Sequence, residues 1–259
     1  MSTTPTIHPS SESNTTAARA AERSAAQKFW ENYFKFYDTL NVYIPYRRLL
    51  ERQASLLEPL QGTATLDAGT GTGNLAQIMA ARGADVIGID FCEPALDRCR
   101  RKVRRAEFRF GDLTQPLSFE PATFDRLACC LVLHLLPPAS QQLALEEFFR
   151  VLKPGGVAVI NAFVRGFNPI TAHLEALRQQ WRSSGALGTL WFALRYSFDT
   201  VRILYYVFRV TRGQKQGQHN FLTPEILGPM LTRAGFTDLR FELMFADQCL
   251  TAVARKTKR

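Results

Sequence analysis

At 259 residues the chain is long enough to bury a sizeable core, as one domain carrying an insertion. Hydrophobic residues make up 46% of it, which excludes a disordered chain. The net charge of +9, from 32 basic against 23 acidic side chains, suits nucleic acid, an anionic membrane surface or an acidic substrate until the charge is located. Five cysteines, an odd number with Cys129 and Cys130 adjacent and no C-x-x-C or histidine cluster, argue against a disulfide framework and against a metal site. Reduced thiols in a cytoplasmic protein are expected. The N-terminus lacks the apolar run of a signal peptide, and residues 1–16, rich in Ser and Thr, read as a disordered tail.

Residues 17–60 read as helical, with a stretch rich in aromatics and leucines from Phe29 onward. Two readings stand side by side: helices packed on the domain, or a lid presenting Tyr33, Phe36, Tyr37 and Tyr43 to a ligand. The organising stretch follows, TLDAGTGTGNL from Thr65 to Leu75. A short apolar run enters a turn holding Gly69, Gly71 and Gly73, with Thr70 between the first two, and an amphipathic helix leaves it. Glycine at such a turn allows backbone angles closed to other residues and lets a ligand lie against the main chain, beside the free N–H groups of a helix start. A dinucleotide fingerprint would place its third glycine where Asn74 stands. Asp67, two residues before Gly69, would repel a phosphate and suits an ammonium or sulfonium group.

DVIGID (Asp85 to Asp90) reads as a second strand, ending in an acid 21 residues past Gly69. That is close to the roughly 20 residues at which a carboxylate takes ribose hydroxyls. A helix-capping role for Asp90 is the alternative. The helix from Pro94 to Val103 bears a dense basic run that reads as a solvated face. A third strand, Glu107 to Phe110, ends in Gly111-Asp112-Leu113. A fourth begins at Phe124 and runs towards His134. A helix from Leu143 to Leu152 stops at Lys153-Pro154-Gly155-Gly156, and a fifth strand occupies Val157 to Phe163. Thr223 caps a late helix to Ala234, and strands at Thr237 to Leu243 and Gln248 to Ala254 complete the pattern.

The D-x-G-x-G-x-G loop resembles the first motif of class I S-adenosylmethionine-dependent methyltransferases. Tyr37-Asp38, Asn41 and Arg47-Arg48 are similar to the segment preceding that loop in the ubiquinone/menaquinone C-methyltransferases and their relatives, and the L-K-P-G-G turn before an apolar strand is likewise familiar in the class. The resemblance runs from about Tyr37 to Ala254. It implies an α/β fold with a doubly wound, seven-stranded, mainly parallel sheet, and residues 61–164 and 221–259 as its two parts. It implies S-adenosylmethionine as cofactor, with Tyr37 closing the site, Asp67, Gly69, Thr70, Gly71 and Gly73 at the amino-acid end, Asp90 at the ribose, and Phe91, Asp112 and Leu113 at the adenine. An ordinary turn role for Asp112 stays open. His134 lies just past a strand end, where open α/β sheets bind ligands, and is the candidate catalytic base, a structural histidine being the alternative.

The resemblance is broken by residues 165–220, a helical insertion after the fifth strand. Within it, LWFALRYSFDTVRILYYVFRV (Leu190 to Val210) is too charged for a membrane span. Arg195, Arg202 and Arg209 recur every seventh residue and form one stripe, with Asp199 placed to pair with Arg195 or Arg202. This segment is either a lid helix packed on the core or a helix lying on a lipid surface, touching the inner face of the membrane through residues 190–215. Tyr33, Tyr43, Arg195 and Arg202 are candidate acceptor-binding residues. No nucleic-acid-binding motif accompanies the charge. The function expected is methyl transfer to a small molecule or lipid, quinone-, isoprenoid- or phospholipid-like. A nicotinamide-dependent oxidoreductase and a non-catalytic membrane-docking protein are the competing classes.

Overall fold

The computed structural model describes residues 25–215, 221–245 and 247–258, so the tail expected over 1–16 lies outside the described residues. Seven strands form one sheet: β1 (Ala64–Ala68), β2 (Asp85–Asp90), β3 (Glu107–Phe110), β4 (Phe124–Cys130), β5 (Leu152–Phe163), β6 (Thr237–Met244) and β7 (Cys249–Arg255). Their order is β3-β2-β1-β4-β5-β7-β6. The first five run parallel, and β7 inserts antiparallel between β5 and β6. Strand order reverses between β1 and β4, which opens a crevice at their C-terminal ends. The doubly wound, mainly parallel architecture is the one expected.

Helices cover both faces. A helix over residues 25–37 (α1) leads through a 3-10 turn (Asp38–Val42) into α2 (Ile44–Leu56). Then come α3 (Asn74–Ala81), α4 (Glu93–Lys102), α5 (Pro138–Val151), α6 (Pro169–Lys215) and α7 (Pro224–Ala234). On one face, Leu145, Phe148, Leu227 and Leu231 of α5 and α7 bury against Leu127, Ile160 and Ala252 of the sheet. On the other, Leu50, Ala54, Leu75 and Met79 of α2 and α3 meet Val86 and Val159. Both faces of the central strands are therefore apolar, as a parallel sheet requires. One polar device fixes α2 against β5: the Gln53 amide donates to the Val159 carbonyl at 2.9 Å and accepts from the Asn161 amide at 2.8 Å. Buried, and with both ends of the Gln53 amide satisfied, this contact holds α2 to the sheet.

Several element ends differ from expectation. The helix expected to begin at Leu143 begins at Pro138, whose fixed φ suits a first turn. β5 starts at Leu152 and includes the K-P-G-G turn, because Leu152 pairs with Phe124 ahead of a bulge. Thr223 is the N-cap of α7 as expected, its carbonyl accepting from the Leu227 N–H at 2.8 Å, although its hydroxyl makes no cap bond to a backbone N–H. The basic run of α4 is only partly solvated. Arg98 donates to the Phe34 carbonyl at 2.9 Å, and the Lys102 ammonium reaches Asp38 at 3.1 Å, the Thr72 carbonyl at 3.3 Å and the Asn74 side chain. Lys102 thereby ties the 3-10 turn to the glycine loop. The insertion is a helix of 47 residues, broken at Gly185, whose φ of 66° and ψ of −171° belong to a region open only to glycine.

Candidate cofactor and acceptor site

A single cavity of about 770 Å³ occupies the crevice above β1, β2 and β4 and continues beneath α1, the start of α2 and α6. Its volume lies high in the range of roughly 300–1,000 Å³ usual for small-molecule sites. One end is polar and formed by the glycine loop. Gly69, Gly71 and Gly73 all have positive φ, and Gly73 immediately precedes α3 as its N-cap. A Cβ on Gly69 would come within 2.6 Å of the Val132 side chain, and one on Gly71 within 3.2 Å of the Phe34 ring. The cradle thus needs glycine for its backbone angles and for its neighbours alike.

Two carboxylates stand at this end, both buried. Asp67 accepts from the Thr70 hydroxyl at 2.7 Å. Asp90 accepts from the N–H of Gly71 at 2.9 Å and of Cys92 at 3.0 Å, which shapes the loop, and Cys92 rather than Asp90 precedes the first residue of α4. Burial pushes the Asp67 carboxyl up to about 7, with Asp90 adding repulsion and the Thr70 hydroxyl opposing the rise. Burial pushes Asp90 up to about 6, against the N–H groups that stabilise its charge. A cation entering this end would be attracted to both. Phe91, Asp112 and Leu113 line the adjoining wall, with Asp112 accepting from the Thr114 N–H at 2.9 Å and hydroxyl at 2.7 Å.

The other end is apolar and aromatic. Trp30, Tyr33, Phe34 and Tyr37 fall at i, i+3, i+4 and i+7 on α1 and present one face to the cavity. Phe36, also expected to face a ligand, sits off that face beneath Arg202. Trp30 and Phe34 were legible from the same spacing. Tyr46 joins them, its hydroxyl 3.4 Å from the Asn74 amide and 3.4 Å from the Tyr37 hydroxyl. The 3-10 turn also grips the glycine loop. Asp38 accepts from the Thr72 hydroxyl at 2.6 Å, and Asn41 donates to Asn74 at 2.8 Å.

Both segments of α6 complete this end, through Ala172, His173 and Ala176 before the break and Thr200, Ile203 and Val207 after it. The Tyr43 hydroxyl meets the Thr200 hydroxyl at 2.5 Å, and Thr39 donates to Asp199 at 3.0 Å. Asp199 is thus engaged by Thr39, with no ion pair to Arg195 or Arg202. Those two arginines do not line the cavity: Arg202 lies over the Phe36 and Phe198 rings at 4.3 and 3.7 Å, and Arg195 over Tyr196 at 5.3 Å. His134 does line it, fully buried, with its ring edge-on to Phe163 and Phe221 at 5.1 and 4.9 Å. Of the candidate site residues, Tyr33, Tyr37, Tyr43, Asp67, Gly69, Thr70, Gly71, Asp90, Phe91, Asp112, Leu113 and His134 therefore share one chamber.

The outer face of α6 differs from the rest of the surface. Among the described residues, 13 large hydrophobic side chains are exposed, and 11 of them belong to α6. Leu187, Leu194, Val201 and Phe208 recur every seventh residue, as do Trp191, Phe198 and Tyr205. Seven residues are nearly two turns, so these rows make one stripe, and Arg195, Arg202 and Arg209 follow one residue on, about 100° round the helix. No helix among the described residues is long and apolar enough to cross a membrane.

A family profile described as a methyltransferase domain matches residues 65–156. The demethylmenaquinone methyltransferase of Thermus thermophilus is 32% identical over 187 residues, covering 69% of this chain and 76% of that protein. That of Clavibacter sepedonicus is 38% identical over 108 residues, 40% of this chain and 43% of its relative. The ubiquinone biosynthesis O-methyltransferase of Paracidovorax citrulli is 36% identical over 106 residues, 39% and 43% of the two chains. The chain thus spans under half the length of two of these relatives and three-quarters of the third. Among solved structures, an S-adenosylmethionine-dependent methyltransferase from Mesorhizobium loti superposes with a TM-score of 0.53 at 17% identity, over 79% of this chain and 96% of that one. Phosphoethanolamine N-methyltransferase 2 of Haemonchus contortus, in complex with S-adenosylmethionine, gives 0.56 at 16% identity over 82% and 53%. With the seven-stranded sheet and the glycine cradle, these matches place the chain in the class I S-adenosylmethionine-dependent methyltransferases.

Proposed function

We propose that this methyltransferase acts on a ring-bearing, lipophilic acceptor drawn from a membrane, with α6 resting on the bilayer surface. The observation that carries the proposal is the continuity of one chamber, from a glycine cradle with two carboxylates to an aromatic compartment roofed by a helix that is apolar on both faces. The cradle fits the cofactor. Asp67 and the loop N–H groups would hold its amino-acid end, Asp90 the ribose, and Asp112 with the Leu113 backbone the adenine, beside Phe91. The bound cofactor supplies an electrophilic methyl on a sulfonium, so the chain's own task is to align the acceptor and exclude water. The relatives are named for quinone-type acceptors, which supports a quinone-like ring. Amine acceptors are disfavoured, because the carboxylates lining the cavity all stand at the cofactor end. The dinucleotide reading of the loop is set aside, Asn74 replacing the third glycine and Asp67 opposing a phosphate.

Outside, the aromatic stripe would enter the headgroup region, with the arginines on its flank meeting lipid phosphates. The test is transfer of labelled methyl from S-adenosylmethionine into a membrane lipid extract, beside a soluble metabolite extract. Label in a lipid fraction is expected. Label confined to soluble material would overturn the lipophilic acceptor while keeping the methyltransferase.

A further inference from the structure

Methylation of a hydroxylated ring requires a group that takes the hydroxyl proton, and the cavity wall leaves few choices. Asp67, Asp90 and Asp112 are at the cofactor end, each already accepting hydrogen bonds from the loops. The hydroxyls of Tyr33, Tyr37, Tyr43 and Tyr46 are raised by burial, so they stay protonated and serve as donors. Burial raises the Cys130 thiol in the same way. Two imidazoles remain, His134 and His173.

They differ in what happens to the proton afterwards. His134 is 0% exposed and boxed by two phenylalanine rings, so an imidazolium formed there would be a fully buried charge. His173, on the first segment of α6, lines the cavity and is only half-buried. Its ring is 6.0 Å from that of Tyr43, whose hydroxyl is bonded to Thr200 on the second segment. The imidazole thus stands where α2 and both segments of the roof converge. Tyr43 faces it from the residue preceding α2, Asp199 lies behind Tyr43 on the second segment, and Glu175 is two residues along its own helix. Burial alone moves its pKa, downward from 6.5, which leaves the ring neutral and able to accept a proton at pH 7.

Building on the methyltransferase reading above, we infer that the acceptor is a hydroxylated aromatic ring and that His173 is the base that ionises it. The acceptor O–H bond breaks and its proton passes to the free imidazole nitrogen. The oxygen's electron pair forms the new bond to the methyl carbon as the carbon–sulfur bond breaks, its pair remaining on sulfur in the thioether product. The imidazolium then gives its proton to water through the exposed side of His173.

A coloured probe tests this without turnover: 4-nitrocatechol carrying a short alkyl chain, bound in the presence of S-adenosylhomocysteine and followed by its phenolate absorbance from pH 5 to 9. In the wild type, ionisation of the bound probe should occur at lower pH than in solution. His173→Asn should return it to the solution value and lower transfer to a hydroxylated ring by about 10²–10⁴-fold, whereas His134→Asn should leave the ionisation of the bound probe lowered. Unchanged affinity for S-adenosylhomocysteine in each variant would show that the fold is kept. His173→Asn with wild-type ionisation and rate would overturn the assignment, and so would the same losses in His134→Asn alone. A wild type that binds S-adenosylhomocysteine but neither binds nor ionises the probe would overturn the hydroxylated acceptor and leave the methyltransferase standing. A wild type that does not bind S-adenosylhomocysteine would overturn the reading of the cradle itself.

Discussion

Asp67 and Asp90 are costly residues in the empty protein and useful ones in the loaded one. Their folded pKa values, about 7 and about 6, lie above the ordinary carboxylate value of 3.8 because burial penalises the charge. A carboxyl raised on folding stabilises the fold while protonated, below about pH 4, and that contribution is lost as pH rises through 6 to 7. These two groups should therefore make the cofactor-free protein melt higher at pH 5.5 than at pH 8. A cationic cofactor selects their ionised forms, so its affinity should move the other way. Calorimetric titration should show the dissociation constant rising by up to about tenfold per pH unit below pH 7, as Asp67 protonates, and by up to about a hundredfold per unit below pH 6, where Asp90 protonates as well. Asp90→Ala should weaken cofactor binding by roughly 1–3 kcal/mol, from lost hydrogen bonds to a charged group, and wild-type affinity in that variant would sink the ribose assignment. Both carboxylates were legible in the sequence because their meaning lies in spacing along one strand–turn–strand unit. Lys102 and His173 were not. Each acts through partners far away in the chain (Asp38 for the first, Tyr43 for the second), and local pattern says nothing of such pairs.

The same divide holds for whole elements. β1, β2, β4 and the glycine turn announce themselves through short apolar runs between turn residues, and they stand where expected. In α6 the seven-residue recurrence of arginine was visible, but not which flank would face the protein. That depended on Phe192, Ile203 and Val210 turning inward, where all three are buried. The break at Gly185 was also hidden, since a lone glycine in a helical pattern is usually tolerated. Its backbone angles are closed to a side chain, although no neighbour within 4 Å would obstruct a Cβ. Gly185→Ala should cost the docked roof roughly 1–3 kcal/mol, through conformation alone. Faster proteolytic nicking within residues 169–215, with S-adenosylhomocysteine affinity unchanged, would report it.

At the scale of the whole molecule, the sheet and the cradle form the floor of the chamber, and among the described residues the exposed apolar surface is concentrated on one roof helix. Replacing Trp191, Leu194 and Phe198 together by Ser should abolish co-flotation with vesicles containing anionic lipid and leave cofactor binding intact. Retained flotation would show that another surface does the docking. On the proposed docking, binding of the unaltered protein should weaken as salt rises, because part of it would be arginine attraction to phosphate, screened beyond a Debye length of about 10 Å at 0.1 M. The shared chamber also dictates the sequence of arrivals and departures. Asp67 in the cradle is 1% exposed, and the aromatic compartment lies between the cradle and the roof. A ring seated there would close the roof side of the chamber over the cradle, so the nucleoside is expected to load before the ring and leave after it. Steady-state kinetics should be compulsory-order, with S-adenosylhomocysteine competing against S-adenosylmethionine at every acceptor concentration and a dead-end complex forming when acceptor is in excess.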